Sequence, residues 1–385
     1  MYWPLMEETI TLSDRIKMAA FILSGSRLTN GSKVRELEKR WSEWLGVEHS
    51  LYVSSGSTAN TLLISSIKEH YKLRDGDKVL VPATTWMTNI APVIQANLQP
   101  IFCDINLNNY SFDEDELRYI SEQHPDIKAV FITHLIGLSS DVEKINEIFP
   151  DALLIEDVCE SHGVCGPLGK RGKDTIGSSF SFYFGHHITT IEGGMVCTNN
   201  TRLYNLMKMK RSHGMAREAL PEMFDLYKIQ NPDIDPAFMF ITEGFNLRNH
   251  EVCAVLGLSQ IKKLDKNIDI RKKNFKYWYD SVSQNNTKFI LPEYQKGNSS
   301  FCFPIITKDR EEISKIKQRL KENEIESRPI ISGNILRHPA FSEYKLCTNK
   351  SSSNADVLHY NGVYVGNSQF VTKKRIDKLV SIMFD

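Results

Sequence analysis

Between residues 33 and 200 the sequence alternates short β-rich runs with amphipathic helical stretches, and this alternation limits the possible folds more than any other feature. Such alternation favours a largely parallel sheet with helices on both faces. In open sheets of this kind, ligands gather at the carboxyl ends of the strands, so the polar turns there are candidates for a site. The predicted strands are 50–53, 78–82, 100–104, 128–134 and 152–157.

The second half of the chain has a different pattern, with long polar helices predicted at 249–264 and 266–283. We predict a large domain over residues 1–255, with a mixed, mostly parallel sheet flanked by helices. A smaller C-terminal α+β domain is predicted over residues 256–385. The segment 220–242 is rich in Pro, Asp and aromatic residues without periodicity, which predicts a loop or flap.

Composition excludes several classes of protein. Lys plus Arg and Asp plus Glu both number 47, so no net field draws the chain to nucleic acid or to an anionic membrane. No apolar run approaches the roughly 20 residues that span a bilayer, and we expect a cytoplasmic protein. The seven cysteines are dispersed without a CxxC pair, which predicts reduced thiols and neither a zinc nor an iron–sulfur site.

The first motif that could carry chemistry is Ser-Ser-Gly-Ser-Thr-Ala-Asn at 54–60, between a predicted strand and an apolar helix. Free backbone N–H groups at a helix start, with hydroxyls and a glycine that allows close approach, suit a phosphate. Serine and threonine are also preferred helix caps, so a capped helix without a ligand is the alternative.

The second motif is the apolar strand that ends in Glu156 and Asp157. Side chains alternate along a strand, so these two carboxylates should point to opposite faces, and only one should serve a site. A carboxylate here could keep a pyridine nitrogen protonated, as a pyridoxal ring requires. The alternative is a carboxylate that only caps the following turn.

The third motif is an aromatic-rich strand that runs into His186 and His187 and then into Glu192-Gly193-Gly194. Adjacent histidines usually point in different directions and are more often structural. A metal site built from these two residues alone is therefore disfavoured.

In their order and spacing, the three motifs resemble the nucleotide-sugar aminotransferase family of fold-type I pyridoxal phosphate enzymes, the DegT/StrS group. The resemblance extends from Gly31-Ser32-Lys33-Val34 to Gly244-Phe245-Asn246-Leu247-Arg248. It implies an α/β, fold-type I aminotransferase-like architecture. It also implies pyridoxal or pyridoxamine phosphate as the cofactor.

The resemblance assigns cofactor roles to individual residues. Asn246 and Arg248 would reach the cofactor from a partner subunit, which implies a homodimer with active sites at its interface. Within the chain, the implied cofactor-binding residues are Gly56, Ser57 and Thr58 at the phosphate, Trp86 stacked on the ring, Asp157 at the pyridine nitrogen, Glu160 close by, and Ser181 as a further phosphate contact.

The chain departs from the family's aminotransferases at His186, six residues before Glu192-Gly193-Gly194. Aminotransferases of the family have a lysine there, whose amine forms an imine with the cofactor. No lysine occurs between Lys173 and Lys208. Because imidazole has no primary amine, we expect a noncovalently held cofactor, and a histidine suited to moving protons near neutral pH.

This exchange resembles the sugar 3-dehydratases of the family. It implies removal of the C3 hydroxyl from a nucleotide-linked 4-keto-6-deoxy sugar, with GDP-4-keto-6-deoxymannose as the expected substrate. L-glutamate would supply the amino group and leave as 2-oxoglutarate, and ammonia would be released. The remaining substrate candidates are His213 near the sugar or the amino donor, and Arg328 and Arg337 for a carboxylate or diphosphate.

Two other functions stay open at this stage. The chain could be a nucleotide-sugar 4-aminotransferase that uses His186 or a distant lysine in an unusual way. It could also be a relative without catalysis that binds a nucleotide sugar or cofactor as a sensor or scaffold. The nucleotide base is open too, since CDP and dTDP sugars serve other members of the family.

Overall fold

A seven-stranded sheet forms the centre of the larger part of the protein, in a computed structural model that describes residues 2–284 and 286–385. Its spatial order is β1-β9-β8-β5-β4-β2-β3, and only β9 runs antiparallel to its neighbours. The strands are β1 (His49–Val53), β2 (Lys78–Pro82), β3 (Gln99–Cys103), β4 (Ala129–Thr133), β5 (Leu153–Asp157), β8 (Gly177–Ser181) and β9 (Gly194–Thr198). A two-stranded ribbon, β6 (Cys165–Gly166) and β7 (Gly169–Lys170), lies between β5 and β8 in the chain.

The predicted α/β class with a mostly parallel sheet is confirmed. The five predicted strands are present, each within one residue of its expected ends. The helices are α1 (Leu12–Leu23), α2 (Ser32–Leu45), α3 (Gly56–His70), α4 (Ala91–Gln95), α5 (Glu114–Gln123), α6 (Val142–Ile148), α7 (Thr201–Arg211), α8 (Pro221–Gln230), α9 (Glu251–Ser283), α10 (Arg310–Glu322), α11 (Asn354–Asn361) and α12 (Lys373–Phe384).

Helices cover both faces of the sheet because each presents one apolar side. On one face, Leu62 and Leu63 of α3 are fully buried in a cluster that includes Val53 of β1. On the other face, the ring of Trp41 in α2 lies 5.1 Å from Phe180 and 4.7 Å from Phe182, between ring centroids. Burial of such large rings contributes a large share of the packing free energy.

A three-stranded antiparallel sheet in the order β10-β12-β11 forms the C-terminal part. Helix α9 connects the two parts: Leu256 is buried near its start, and Trp278 is buried in the core of the smaller sheet. The predicted boundary at 255/256 therefore falls inside a continuous helix and stays a prediction. The strands are β10 (Cys302–Ile306), β11 (Ser327–Pro329) and β12 (Gly362–Gly366).

Two local predictions are wrong. The helices expected at 249–264 and 266–283 are one helix, α9, because buried side chains continue along it through Leu264, Ile268 and Arg271. The expected loop at 220–242 contains the ten-residue helix α8, which has Pro221 in its first turn. None of the α8 side chains is buried, so the segment has no apolar periodicity that could reveal a helix.

Glu251, at the start of α9, fixes the start of α2. Its carboxylate accepts hydrogen bonds from the backbone N–H groups of Gly31 (2.7 Å), Lys33 (2.9 Å) and Val34 (2.8 Å). The carboxylate replaces the capping side chain that Gly31, the residue before α2, does not have.

Replacing Glu251 with Ala should lower the free energy of unfolding by about 3 kcal/mol, because buried N–H groups lose a charged acceptor. The measurement is urea unfolding followed by circular dichroism. Glu251→Gln is the matched control, since its amide oxygen keeps one acceptor and should cost less. Equal stability of the alanine variant and the unsubstituted protein would contradict this account of the helix start.

Candidate active site

Four strands bring the predicted site residues to one edge of the main sheet. Strands β1, β2, β5 and β8 run in the same direction, so their carboxyl ends lie side by side. The turns after these strands lead to Gly56, Trp86, Glu160 and His186 respectively. The parallel topology thus assembles residues that are far apart in the chain.

The start of α3 has the geometry of a phosphate cradle. Ser55 caps the helix through a hydrogen bond from the N–H of Thr58 to its side chain (3.1 Å), while the Thr58 hydroxyl donates to the Ser55 carbonyl (2.9 Å). Ser57 is exposed, and Gly56 is buried. The Thr58 side chain thus shapes the turn, and the N–H groups of Gly56 and Ser57 stand at the helix start, where a helix has no acceptors of its own for them.

Gly56 permits a close approach that a side chain would block. A β-carbon on Gly56 would lie 2.6 Å from Cβ of Ser181 and 3.0 Å from Sγ of Cys159. The start of α3, the end of β8 and the turn after β5 therefore meet at this glycine. Ser181 thus lies beside the start of α3, and its contact with a phosphate stays a prediction.

Asp157 is a buried carboxylate at the end of β5, only 4% exposed. Its Oδ2 accepts from Nδ2 of Asn60 (2.8 Å), and its Oδ1 accepts from the N–H of Cys159 (2.8 Å). Glu156 instead bonds to His134 (2.8 Å) and to the N–H of Gly172 (3.0 Å). The two carboxylates thus have separate partners, as strand alternation predicted, and Asp157 is the one at the site edge.

The residues present fit a pyridoxal phosphate. The cradle at Gly56 suits its phosphate, and Asp157 offers a carboxylate for the pyridine nitrogen. Two buried side-chain atoms nearby, Oδ1 of Asn60 and Oγ of Ser179, have no hydrogen-bond partner among the described residues. Unpaired buried polar atoms of this kind are what a polar cofactor would satisfy.

His186 lies beside this cradle, and its orientation is fixed. Its Nδ1 forms a short hydrogen bond with the carbonyl oxygen of Cys159, two residues after Asp157. Because a carbonyl can only accept, Nδ1 carries the proton, and Nε2 of the neutral ring is a base. Nε2 has no hydrogen-bond partner in residues 2–284 or 286–385.

Aromatic rings surround the imidazole of His186. Phe301 stacks on it with ring centroids 6.0 Å apart and planes 21° apart, and Tyr183 meets it edge-on at 5.9 Å. Burial lowers the pKa of His186 to about 4, although the Cys159 carbonyl and the charge of Asp157 oppose the shift. The ring is therefore neutral and able to accept a proton at physiological pH.

Glu160 and Trp86 are the two remaining residues of the chain that were predicted to bind its own cofactor. Burial raises the pKa of Glu160 to about 8, helped by the charge of Asp157 and opposed by a hydrogen bond from the N–H of Ile136 (3.0 Å). Glu160 is thus mostly protonated at neutral pH and can donate a hydrogen bond. Trp86 is 55% exposed, so its ring is free to stack on a ligand.

The segments that carry His213, Asn246 and Arg248 lie together. Ser212 and Asn246 form a β-bridge, and the N–H of His213 donates to Phe245 (2.6 Å). The carbonyl of Leu247 accepts from the N–H of Ser54 (3.0 Å), directly before the cradle. His213 and Asn246 are exposed, and Arg248 Nε donates to Asn246 Oδ1 (3.1 Å). Which subunit's cofactor they serve stays a prediction.

The two arginine candidates differ. Arg328 in β11 lies opposite Tyr364 in β12. The ring centroid of Tyr364 is 6.0 Å from that of Phe301, which stacks on His186. Arg337 already forms a two-point ion pair with Asp356, from Nε to Oδ1 at 2.9 Å and from Nη2 to Oδ2 at 2.5 Å. Geometry therefore favours Arg328 as the substrate-binding candidate.

Several residues of the site could not be chosen from the sequence. Asn60 falls one helical turn after Gly56, and this spacing could have indicated its contact with Asp157. Phe301 and Arg271 come from distant segments with no motif around them. In the described part of the chain no group of His, Cys, Asp or Glu is arranged to hold a metal ion, and no helix is long and apolar enough to cross a membrane.

Known proteins resemble the chain over nearly its whole length. The GDP-4-keto-6-deoxy-D-mannose 3-dehydratase of Escherichia coli O55:H7 is 32% identical over 372 residues, which cover 94% of each chain. A structure of the Escherichia coli GDP-4-keto-6-deoxy-D-mannose-3-dehydratase with bound hydrated PLP superposes with a TM-score of 0.90 at 29% identity, covering 100% of this chain and 99% of that one.

A structure of GDP-4-keto-6-deoxymannose-3-dehydratase with a trapped PLP-glutamate geminal diamine superposes with a TM-score of 0.89 at 28% identity, covering 99% of this chain and 100% of that one. The sequence pattern of the DegT/DnrJ/EryC1/StrS aminotransferase family matches residues 10–384. These likenesses confirm the predicted family and the fold-type I aminotransferase-like architecture. The chain belongs to the DegT/DnrJ/EryC1/StrS aminotransferase family.

Proposed function

We propose that the chain is a sugar 3-dehydratase that depends on pyridoxal and pyridoxamine phosphate, held without a covalent bond. It removes the C3 hydroxyl of a nucleotide-linked 4-keto-6-deoxy sugar, with GDP-4-keto-6-deoxy-D-mannose as the proposed substrate. L-glutamate supplies the amino group and the two electrons. The products are a 4-keto-3,6-dideoxy sugar, 2-oxoglutarate and ammonia. The sugar loses one oxygen at C3 and 2-oxoglutarate gains one, while the two electrons from glutamate reduce C3.

The observation that carries the proposal is the imidazole of His186, held at the cofactor cradle with its Nε2 unprotonated. An aminotransferase needs a primary amine there to hold the cofactor and to release amine products. A dehydratase needs a group that accepts one proton and delivers one within the same site. The likeness to 3-dehydratases over 94% of the chain supports the second reading and the proposed substrate.

When bound, pyridoxamine phosphate supplies an amine that condenses with a ketone and a ring that accepts an electron pair. Gly56 and Ser57 would hold its phosphate with their backbone N–H groups, joined by Ser181. Asp157 would hold the proton on the pyridine nitrogen, since its carboxylate is buried and oriented by Asn60. Trp86 would cover the ring.

His186 moves the protons in this proposal. Its Nε2 accepts a proton while Nδ1–H stays bonded to the Cys159 carbonyl, so the ring keeps its orientation in both protonation states. The imidazolium then gives its proton to the departing C3 hydroxyl, which leaves as water. The ring of Phe301 stacks on the imidazole, and Tyr183 meets it edge-on, so that both limit its contact with solvent.

The two competing functions have less support. A 4-aminotransferase would have to work without a lysine between Lys173 and Lys208. A sensor or scaffold that binds the cofactor could use Asp157, but it has no need of an imidazole held in a single tautomer. The dehydration uses both groups.

We further propose a homodimer with cytoplasmic location, in which Asn246 and Arg248 serve the partner's cofactor. Large apolar side chains are exposed at the site edge: Trp86 is 55%, Met87 46% and Ile191 46% exposed. Apolar patches at a polar site are typical of a surface that another subunit covers. The exposed positions of His213 and Asn246 beside the cradle agree with this arrangement.

The first test replaces His186 with Asn, whose amide can still donate to the Cys159 carbonyl but cannot take up a proton. Ammonia release from glutamate and GDP-4-keto-6-deoxy-D-mannose should fall at least about 100-fold. Cofactor affinity, followed by absorbance titration, should stay within about threefold because the cradle is untouched. An unchanged rate of ammonia release would exclude His186 as the proton carrier.

His186→Lys is the companion variant and should bind the cofactor covalently.

The pH dependence provides a second test. A base must be neutral to act, so activity is present above the pKa of His186 and is lost as the pH falls through it. With that pKa lowered to about 4, activity should persist through pH 6, where an ordinary histidine begins to be protonated. The measurement is kcat/KM against pH, which reports groups of the free enzyme, with enzyme stability checked at each pH. An acidic limb near pH 6.5 would contradict the buried, neutral imidazole.

The dimer is tested by mixing two inactive variants, His186→Asn and Arg248→Ala. If Arg248 serves the partner's cofactor, each mixed dimer contains one site with both residues intact, and activity returns on mixing after subunit exchange. Each variant alone is the control. If Arg248 serves its own subunit, no mixed dimer has an intact site and the mixture stays inactive.

A further inference from the structure

Arg271 in α9 is a buried charge that forms no ion pair with any residue in 2–284 or 286–385. It is 4% exposed, and its Nη1 donates one short hydrogen bond to the carbonyl of Asn367. Its Nε is buried with no hydrogen-bond partner within the described residues. Burial lowers the pKa of Arg271 to about 10, which still leaves it charged at neutral pH. An unpaired buried guanidinium is costly and calls for an explanation.

Arg271 and His186 line the same small cavity, which has room for a single water molecule. The lining also includes Glu7, but the carboxylate of Glu7 is already paired with Arg375 at 2.7 Å. Glu7 therefore does not cancel the positive charge of Arg271 on this side of the imidazole, whereas Asp157 acts on the ring with the opposite sign.

A series of hydrogen bonds and one ring contact also connects Arg271 to His186. The guanidinium bonds to the carbonyl of Asn367, and the N–H of Asn367 donates to the carbonyl of Phe301 (2.8 Å). The Asn367 side chain returns to the Arg271 carbonyl (3.0 Å), so the two residues are joined twice. The ring of Phe301 then stacks on the imidazole of His186.

We propose that Arg271 is a positioning residue for the dehydration: it places an unpaired positive charge behind His186 and, through Asn367, holds the Phe301 ring against the imidazole. This inference rests on the proposed role of His186 as the proton carrier. The charge opposes protonation of the resting imidazole, so the base is ready for the first proton transfer. It also makes the imidazolium a better acid toward the departing hydroxyl.

Other groups around His186 do not supply this charge. His162 and His187 are neutral, because burial lowers the pKa of each well below its usual value. Asp157 has the opposite charge and favours protonation of the ring. The titratable or charged groups facing His186 are Asp157, Cys159 and His162 from the segment after β5, Tyr183 and His187 from its own turn, Arg271 from α9, and Glu7 from the N-terminal segment.

The test follows the titration of His186 directly, in cofactor-free protein with isotope-labelled histidine rings. The His186→Asn variant identifies the His186 signal among the 11 histidines. Arg271→Met, which keeps an apolar stem without charge, should raise the pKa of His186. Arg271→Lys keeps the charge and should leave that pKa near its original value. In the complete enzyme, the acidic limb of kcat should move to higher pH in the methionine variant alone.

A matched control separates charge from packing. Arg271→Gln removes the charge but keeps an N–H donor for the carbonyl of Asn367, so it should raise the pKa of His186 as Arg271→Met does. The inference is overturned if Arg271→Met leaves the titration of His186 unchanged, or if Arg271→Lys shifts it equally. Should Arg271→Met fail to fold, Arg271→Gln takes its place, and an unchanged titration of His186 in that variant overturns the inference. A failure of the proposed function gives a different result. The unsubstituted enzyme would then release no ammonia, whether or not the Arg271 variants shift the titration of His186.

Discussion

The hydrogen bond between Nδ1 of His186 and the carbonyl of Cys159 is the interaction on which the account of the site depends. It joins the turn after β8 to the turn after β5, where Asp157 ends its strand. It also decides the tautomer, because a carbonyl can only accept, and the free Nε2 is therefore the basic nitrogen. Without this bond the imidazole could rotate, and its distance from the cofactor cradle would not be defined.

The rest of the site follows from the way in which a mostly parallel sheet brings distant turns together. The Gly56 cradle, the buried Asp157 and the ring of His186 come from three different strand ends, yet all lie at one edge. The fold is that of an aminotransferase family, and the chemistry changes through one side chain. A primary amine at position 186 would support exchange of amino groups, whereas an imidazole supports movement of protons between carbon and oxygen.

Much of this could be predicted from the sequence, for physical reasons. Five short apolar runs became strands of the main sheet because strand periodicity and the turns between them are local signals. Asp157 and His186 could be picked out because Asp157 ends one of these strands and His186 lies in the turn after an aromatic-rich strand. The likeness of three ordered motifs to one family supplied the cofactor, which no single motif could.

Other features depend on contacts between distant segments and left no local signal. Arg271 and Phe301 reach His186 from α9 and from the approach to β10, and nothing in their neighbouring residues indicates a site. Helix α9 could not be recognised as continuous because it packs on different partners along its length. Helix α8 buries no side chain and so lacks the periodicity by which helices are recognised.

If the chain is a 3-dehydratase, it converts glutamate and a keto-sugar nucleotide to a sugar without nitrogen. The stoichiometry of the purified protein acting on GDP-4-keto-6-deoxy-D-mannose with glutamate shows this conversion directly. We expect one ammonia and one 2-oxoglutarate for each 4-keto-3,6-dideoxy sugar, identified by mass. A stable product that keeps the C3 hydroxyl and has an amino group at C4, formed without ammonia, would contradict it.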